Sequence, residues 1–346
     1  MSTSSIPVDS SSTINSVHAA RHRTWRAALK DAVRDPDELC RLVDLPRQYL
    51  AGARRAARLF PLFVPREYLA RIQSGDPHDP LLRQVLPLDA EHANPPGYQE
   101  DPVGDGRATL TPGLLHKYRS RVLMVTTGAC AVHCRYCFRR HFPYDTTPRS
   151  IDQWRPALEQ IERDPTIHEV ILSGGDPLTL VDDQIAELVK RLSDVPHVRR
   201  LRIHTRLPIM IPQRVTDPLL RLLRASRLPT IVVVHANHAN ELDESVDASL
   251  GRLVGAGLVV LNQAVLLRGV NDSADALVDL CQRLADMRVM PYYLHQLDRV
   301  SGAAHFEVPR HIGRRLIAQL RRRLPGYAVP RYVHERPGVP HKMPLA

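Results

Sequence analysis

Three cysteines lie close together in the chain, at Cys130, Cys134 and Cys137. Thiolates are the preferred ligands of iron–sulfur clusters, and a cubane cluster usually takes four of them. The two other cysteines, Cys40 and Cys281, are distant in sequence and lie in stretches with helical spacing. A cluster held by only three thiolates leaves one iron open to a small molecule. The spacing therefore predicts a [4Fe-4S] cluster with one iron free to bind a ligand.

Two other uses of these cysteines stay open from the spacing alone. A disulfide is disfavoured because five cysteines and the lack of a signal peptide suit a reducing, cytoplasmic location. Zinc could take His141 as a fourth ligand, although zinc sites usually pair two ligand groups across a longer gap. With a net charge of +10 the chain would then be a basic zinc-binding nucleic-acid module. Its arginines, however, are scattered through helices and not interleaved with aromatic residues, so a nucleic-acid partner is not predicted.

The composition and the hydrophobic pattern of the 346 residues predict the segments that must position these cysteines. Residues 1–16 are rich in serine and threonine and predict a disordered tail. Residues 17–112 predict an N-terminal arm, which is helical from about Thr24 to Leu45 and then dense in proline. Residues 113–324 predict a barrel core, and residues 325–346 a short C-terminal tail. No stretch approaches the length that a membrane span needs.

Strands and helices alternate in the core. Apolar runs that predict strands occur at 121–126, 168–172, 199–204, 230–235, 258–265 and 288–294. Helical spacing occurs at 151–163, 180–193, 216–226, 243–255, 273–286 and 310–323. Alternation of this kind predicts parallel strands, and six units instead of eight predict an α/β fold with an open (β/α)6 partial barrel. The cysteine loop follows the first strand, at the end of the barrel where active sites collect.

Longer motifs add a resemblance to a known family. The C-x3-C-x2-C spacing after an apolar run resembles the radical S-adenosylmethionine (radical SAM) enzymes. The ordered runs that extend this resemblance are Gly113–Leu123, Cys137–Tyr144, Ser173–Leu178, Arg200–Pro208, Asn262–Asp272 and Pro291–Asp298. Together they resemble the lysine 2,3-aminomutase family, from about residue 55 to the C-terminus. Phe138 and the run from Arg139 to Tyr144 resemble the short bacterial branch that makes (R)-β-lysine for elongation factor P.

The resemblance implies an isomerase that uses a [4Fe-4S] cluster, S-adenosylmethionine and pyridoxal 5′-phosphate. S-adenosylmethionine is expected at Ser173, Gly174, Gly175 and Asp176. Of the four lysines, Lys342 is expected to form the Schiff base with pyridoxal phosphate, and the residues expected to bind that cofactor are Lys117, Tyr118 and Arg121. The substrate residues are expected to be Arg139 for the carboxylate of lysine and Asp298 and Glu335 for its ε-ammonium. Lys30 and Lys190 are expected to be solvated.

The resemblance also implies partners. L-lysine is the expected substrate, an external donor supplies the electron, and the product is destined for elongation factor P through a separate ligase. A free-standing aminomutase that makes β-lysine as a metabolite remains an alternative, and a homo-oligomer remains open. The structural zinc of the longer aminomutases is not expected, because Ser273 stands where a zinc cysteine would be.

Overall fold

The computed structural model describes residues 24–346, so the tail predicted at 1–16 lies outside the described residues. The helices are α1 Trp25–Lys30, α2 Pro36–Leu42, α3 Gln48–Leu59, α4 Arg66–Leu69, α5 Pro80–Arg83, α6 Asp105–Ala108, α7 Ile151–Arg163, α8 Asp182–Asp194, α9 Leu207–Met210, α10 Asp217–Ala225, α11 Glu244–Gly255, α12 Ala274–Asp286 and α13 Arg310–Arg323. The strands are β1 Thr109–Thr111, β2 Leu114–Tyr118, β3 Arg121–Thr127, β4 Glu169–Gly174, β5 Arg200–Thr205, β6 Thr230–Val234, β7 Val259–Leu266, β8 Met290–Gln296, β9 Arg331–His334 and β10 Met343–Pro344.

The ten strands form one sheet in their order along the chain. Strands β3 to β9 run parallel to one another. The antiparallel strands β1 and β2 lie at one edge and the antiparallel strand β10 at the other. The central strands are apolar and buried along most of their length, as in β4, because helices follow the strands and cover the sheet. The first and last strands do not pair, so the sheet stays open.

The predicted α/β class and the six strand–helix units of a partial barrel are confirmed, and the helix predicted at 151–163 has the bounds of α7. The C-terminal segment adds two strands that the sequence did not predict. Strand β9 extends the parallel sheet, and β10 folds back on it, with Met343 opposite His334. Both strands are too short to give a periodic pattern. The segment that carries Lys342 is therefore part of the sheet.

The N-terminal arm holds the cysteine loop against the barrel. Arg135, inside the loop, donates to both carboxylate oxygens of Glu91 in the arm, at 2.8 and 2.6 Å, and both side chains are fully buried. The loop backbone also bonds to the arm, from Arg135 N to the carbonyl of Gln84 at 2.9 Å. The arm thus fixes the loop through long-range contacts.

The prediction of one helical stretch from about Thr24 to Leu45 is wrong in its middle. The chain leaves α1 after Lys30 and begins α2 at Pro36, where Asp35 caps the new helix by accepting from the backbone of Asp37 at 2.9 Å. Proline is favoured in the first turn of a helix and not in its interior, so Pro36 marks a new start. Among residues 24–346, no helix combines the length and the apolar character that crossing a bilayer requires.

Candidate active site

One cavity of about 750 Å³ brings together every residue that the sequence predicts for the site. Its lining includes the three loop cysteines, the predicted S-adenosylmethionine segment 173–176, the three predicted pyridoxal phosphate residues, the three predicted substrate residues and Lys342. The cavity follows the inner face of the sheet from Arg121, at the start of β3, to the loop beyond its end. Proximity in one cavity is a structural fact, while the individual roles stay predictions.

The cysteine loop begins directly after β3. Cys130, Cys134 and Cys137 are all free thiols that face the cavity. Burial raises the pKa of Cys130 well above its usual value and the pKa of Cys137 to about 11, with the neighbouring thiols adding to the effect. Iron would therefore have to displace protons from these thiols when it binds.

No group of three or more His, Cys, Asp or Glu side chains between residues 24 and 346 is arranged to hold a single metal ion. A cubane cluster does not need such an arrangement, because each of its thiolates binds a different iron.

Paired glycines allow β4 to approach the cysteine loop closely. Gly174 has a φ of +118°, and a Cβ at Gly175 would lie 2.2 Å from the carbonyl oxygen of Ala129. The backbone N–H of Gly175 donates to the carbonyl of Thr127 at 2.8 Å, and that of Asp176 donates to Ala129 at 2.7 Å. Only glycine permits this contact. The Gly-Gly motif therefore positions the cysteine loop, whatever ligand it also contacts.

Asp176 lines the cavity, but its carboxylate is engaged by the protein. Oδ1 accepts from Thr205 Oγ1 at 2.7 Å and from the N–H of Leu178 at 3.0 Å. Oδ2 accepts from the N–H groups of Arg206 and Leu207, at 2.7 and 3.1 Å. We therefore expect Asp176 to order the turns after β4 and β5, and we expect a ligand to meet the neighbouring backbone.

Five charged side chains form an alternating series along the cavity. Arg139 Nε donates to Asp105 Oδ2 at 2.6 Å, and Asp105 Oδ1 lies 2.6 Å from Lys117 Nζ. Lys117 in turn donates to Glu335 Oε1 at 3.0 Å, and Lys342 donates to Glu335 Oε2. This series, from Arg139 to Lys342, links the cysteine loop to the C-terminal segment.

The C-terminal hairpin sets the contact between Glu335 and Lys342. Glu335 directly follows β9 and Lys342 directly precedes β10, so the pairing of these strands brings the two side chains together. Burial opposes the ionisation of Glu335, but the charges of Lys342 and Lys117 outweigh it and lower the pKa of Glu335 below its usual range. Because Lys117 lies on β2 and Glu335 follows β9, their ion pair also joins opposite edges of the curled sheet.

Asp298 lies two residues past β8, and its pKa is shifted in the opposite direction to that of Glu335. Burial and the negative charge of Glu335 raise the pKa of Asp298 to about 7, although Lys342 and Lys117 pull it down. Two carboxyl groups therefore share one part of the cavity, one firmly ionised and one that titrates near neutrality. A bound cation would favour ionisation of both.

The turn between β2 and β3 brings Tyr118 opposite Arg121 in the sheet. The guanidinium of Arg121 lies over the ring of Tyr118, 4.6 Å from its centre. Arg121 forms no ion pair with a carboxylate in the described part of the chain, so its charge is available to a ligand. Burial and the charge of Glu335 raise the pKa of Tyr118 above its usual value, so its hydroxyl stays protonated.

Sequence reasoning missed several polar residues of the cavity. His204 and His295 line it, and burial lowers the pKa of both well below the usual value, so both are neutral. Asp105, which bridges Arg139 and Lys117, was missed because nothing in its irregular, proline-rich segment distinguishes it. Arg206, directly after β5, was also missed, although an arginine that directly follows a predicted strand was an available signal.

The fold and the cysteine loop define the class of protein. The sequence model of the radical SAM superfamily matches residues 124–281 of this chain. These residues contain the cysteine loop and four of the parallel strands that follow β3. Members of this superfamily use an iron–sulfur cluster and S-adenosylmethionine. Among solved structures, the chain is similar to Streptococcus suis SuiB bound to S-adenosylmethionine, with a TM-score of 0.48 and 13% identity over 63% of this chain and 51% of that one.

Relatives over nearly the whole chain narrow the class to a family. The L-lysine 2,3-aminomutase of Escherichia coli (strain K12) is 47% identical over 93% of this chain and 94% of its own length. That of Haemophilus influenzae is 43% identical over 92% and 95%. The L-lysine 2,3-aminomutase of Clostridium subterminale is 33% identical over 93% of this chain and 77% of its own length. The chain belongs to the lysine 2,3-aminomutase family of radical SAM isomerases.

Proposed function

We propose that this chain converts L-lysine to (R)-β-lysine. The observation that carries the proposal is the charge pattern of the cavity, which has Arg139 beside the cysteine loop, the carboxyl group of Asp298 just past β8 and that of Glu335 in the C-terminal segment. Lysine carries a carboxylate at one end and an ammonium at the other. A guanidinium binds a carboxylate through two parallel hydrogen bonds, and a desolvated ammonium needs anionic partners. The pattern is therefore complementary to lysine.

At both ends of this charge pattern, the residues form ion pairs with other charged side chains of the protein. Asp105 bonds to Arg139, as a substrate carboxylate would. Lys342 bonds to Glu335, as the ε-ammonium of a substrate would. The side chain of Lys342 is chemically the same as that of free lysine, so this contact supports a pocket that accepts a primary ammonium. Binding of substrate would exchange these internal partners for its own charges.

The residues present fit three cofactors. The loop cysteines are unpaired thiols on one loop that face one cavity, and they would hold a [4Fe-4S] cluster. S-adenosylmethionine would lie beside the segment 173–176, and pyridoxal phosphate would attach to Lys342. When bound, the cluster and S-adenosylmethionine would supply the radical that removes a hydrogen atom, and pyridoxal phosphate would supply a conjugated ring that delocalises the unpaired electron while the amino group moves from carbon 2 to carbon 3 of lysine. The partial barrel would shield these groups from water when they are bound.

The donors of Lys117 suggest how the phosphate group would be held. Its ammonium donates to the carbonyl of Val103 at 2.9 Å and to Glu335 at 3.0 Å, and it lies 2.6 Å from Asp105. Two of the three donors of this ammonium are thus bonded to the protein, and the ammonium also lies against a second carboxylate, so its charge is already balanced by two anions of the protein. We therefore assign the phosphate chiefly to Arg121, with Tyr118, and we assign Lys117 to the charge balance of the lysine pocket.

Covalent trapping tests the role of Lys342. The protein loaded with pyridoxal phosphate would be reduced with borohydride, digested and mapped by mass spectrometry. We expect the pyridoxyl group on Lys342, while the exposed Lys190 serves as an internal control for non-specific labelling. A label on Lys117, or a label spread equally over all four lysines, would contradict the assignment.

We further propose that the product serves elongation factor P. Support comes from the run Phe138–Tyr144, which resembles the short bacterial branch, and from the nearly full-length match to the shorter relatives. The test supplies the product to a purified elongation factor P ligase and measures the mass added to the factor. Efficient transfer of the product, with α-lysine transferred poorly, supports this role. A product that the ligase does not use would favour a free-standing aminomutase.

A further inference from the structure

Arg206 lies beside the cysteine loop and has no assigned role. It directly follows β5, and its backbone N–H donates to the buried carboxylate of Asp176 at 2.7 Å. The same carboxylate also accepts from the hydroxyl of Thr205, the residue before it, at 2.7 Å, and from the N–H of Leu207, the residue after it, at 3.1 Å. The backbone from which the Arg206 side chain extends is therefore held on both sides of its Cα, so the side chain starts from a defined position.

The guanidinium of Arg206 donates three hydrogen bonds inside the protein. Nη2 donates to Gln84 Oε1 at 2.7 Å and to Glu241 Oε2 at 2.8 Å. Nη1 donates to the sulfur of Cys134 at 2.8 Å. Arg206 is only 5% exposed, so this cation and its partners lie in a region of low dielectric constant.

Glu241 is itself fixed and cannot turn away from Arg206. Its Oε1 accepts from Gln84 Nε2 at 3.0 Å and from the backbone N–H of Asn237 at 2.8 Å. Only Oε2 then remains for the guanidinium. The arrangement holds one donor of Arg206 towards Cys134 and does not need the sulfur to keep it there.

Cys134 differs from the two other loop cysteines in this respect. Among the three loop cysteines, and within residues 24–346, only the sulfur of Cys134 accepts a hydrogen bond from a cationic side chain. Hydrogen bonds to cluster-ligating sulfurs and nearby charge are two of the factors that set the reduction potential of an iron–sulfur cluster. Reduction adds one negative charge to the cluster, and a fixed cation stabilises that extra charge.

We infer that Arg206 is a positioning residue that raises the reduction potential of the cluster through its charged hydrogen bond to Cys134, with Glu241 partly offsetting its charge. The inference does not depend on pyridoxal phosphate or on the identity of the substrate. It concerns how readily the cluster accepts an electron from the external donor, which must precede any cleavage of S-adenosylmethionine.

The test is a redox titration of the cluster followed by electron paramagnetic resonance, on the full chain with its cluster reconstituted. Arg206→Gln removes the charge and keeps a polar side chain, while Arg206→Lys keeps the charge. We expect Arg206→Gln to lower the potential so that the ratio of reduced to oxidised cluster at a fixed solution potential near the midpoint falls about tenfold, which corresponds to about 59 mV for one electron. Arg206→Lys should remain close to the unmodified protein.

Two further variants separate the electrostatic role from a structural one. Glu241→Gln removes the negative charge that offsets Arg206 and should raise the reduction potential of the cluster. A general destabilisation of the cysteine loop does not predict an increase. Arg71→Gln is the matched control, because Arg71 donates to the backbone carbonyls of Glu241 and Ile209 but not to a thiol. It should leave the potential unchanged.

Iron and sulfide content would be measured for each variant. An unchanged potential in Arg206→Gln at full cluster content would overturn the inference, and so would equal shifts in Arg206→Gln and Arg71→Gln. If Arg206→Gln fails to hold a cluster, the two other variants still test the inference. A lower reduction potential in Glu241→Gln would contradict the proposed role of Arg206. A sharply lower potential in Arg206→Lys would contradict it as well.

Discussion

The ionisation of Asp298 predicts how lysine binding should depend on pH. Burial and the charge of Glu335 raise the pKa of Asp298 to about 7, against the opposing charges of Lys342 and Lys117. Attachment of Lys342 to pyridoxal phosphate would remove one of these opposing cations. The pKa in the cofactor-loaded protein should therefore be about 7 or higher, and the ε-ammonium of lysine should bind best once Asp298 is ionised.

The size of the effect follows from the ionised fraction. For a pKa of about 7 that fraction is about 0.1 at pH 6 and about 0.9 at pH 8, so lysine should bind at least about tenfold more tightly at pH 8, with release of a proton from Asp298. Removal of one partner from a buried charge pair costs on the order of 2–5 kcal/mol, or about 30-fold or more in affinity. Asp298→Asn should show this loss at pH 8 and should lack the steep rise.

Lysine affinity would be measured by the absorbance change of bound pyridoxal phosphate at pH 6, 7 and 8, without S-adenosylmethionine. The α-amino group of lysine also titrates, but it does so equally for every variant, so the slopes can be compared. The exposed Asp183→Asn serves as the control and should keep the slope of the unmodified protein. An Asp298→Asn protein with normal cofactor content and the same slope and affinity as the control would refute the reasoning.

Three other predictions concern separate parts of the site. Alanine at any one of the loop cysteines should abolish cluster binding, while Cys281→Ala should keep it, as iron and sulfide analysis of anaerobically purified protein will show; a colourless protein with stoichiometric zinc would point to the zinc alternative. Gly175→Ala would place a Cβ 2.2 Å from a carbonyl oxygen of the cysteine loop and should cost at least about 1–3 kcal/mol in denaturant unfolding, whereas Gly255→Ala, with nothing within 4 Å, should not. Arg121→Met should weaken pyridoxal phosphate binding about 10-fold to 100-fold. Lys117→Met should mainly weaken lysine binding, and the reverse pattern would contradict the assignment of the phosphate.

Local patterns explain why much of the site could be predicted. The cysteines lie within eight residues of one another, so their spacing indicated a cluster loop, and the resemblance to the family identified the Gly-Gly turn that ends the next strand. The alternation of apolar runs and helices gave the six units of the barrel. Lys342 was found because the chain has only four lysines and a family motif surrounds this one.

Contacts between distant residues explain what was missed. Asp105 is important because it meets Arg139, which is 34 residues away, and Arg206 because it meets Cys134, which is 72 residues away. Motifs make Cys134 and Arg139 recognisable, but no pattern in a single sequence identifies the distant residue that each of them contacts. The internal pairing of Lys342 with Glu335 likewise depends on β9 and β10, whose four and two residues give no detectable period.

The most direct test of the central proposal is an anaerobic turnover assay. The reconstituted protein would be given reductant, S-adenosylmethionine, pyridoxal phosphate and isotopically labelled L-lysine, and the products would be separated by chiral chromatography. The proposed function predicts labelled β-lysine, predominantly the (R) enantiomer, which disappears when S-adenosylmethionine is omitted. Unchanged lysine in a protein that holds its full cluster and pyridoxal phosphate would contradict it.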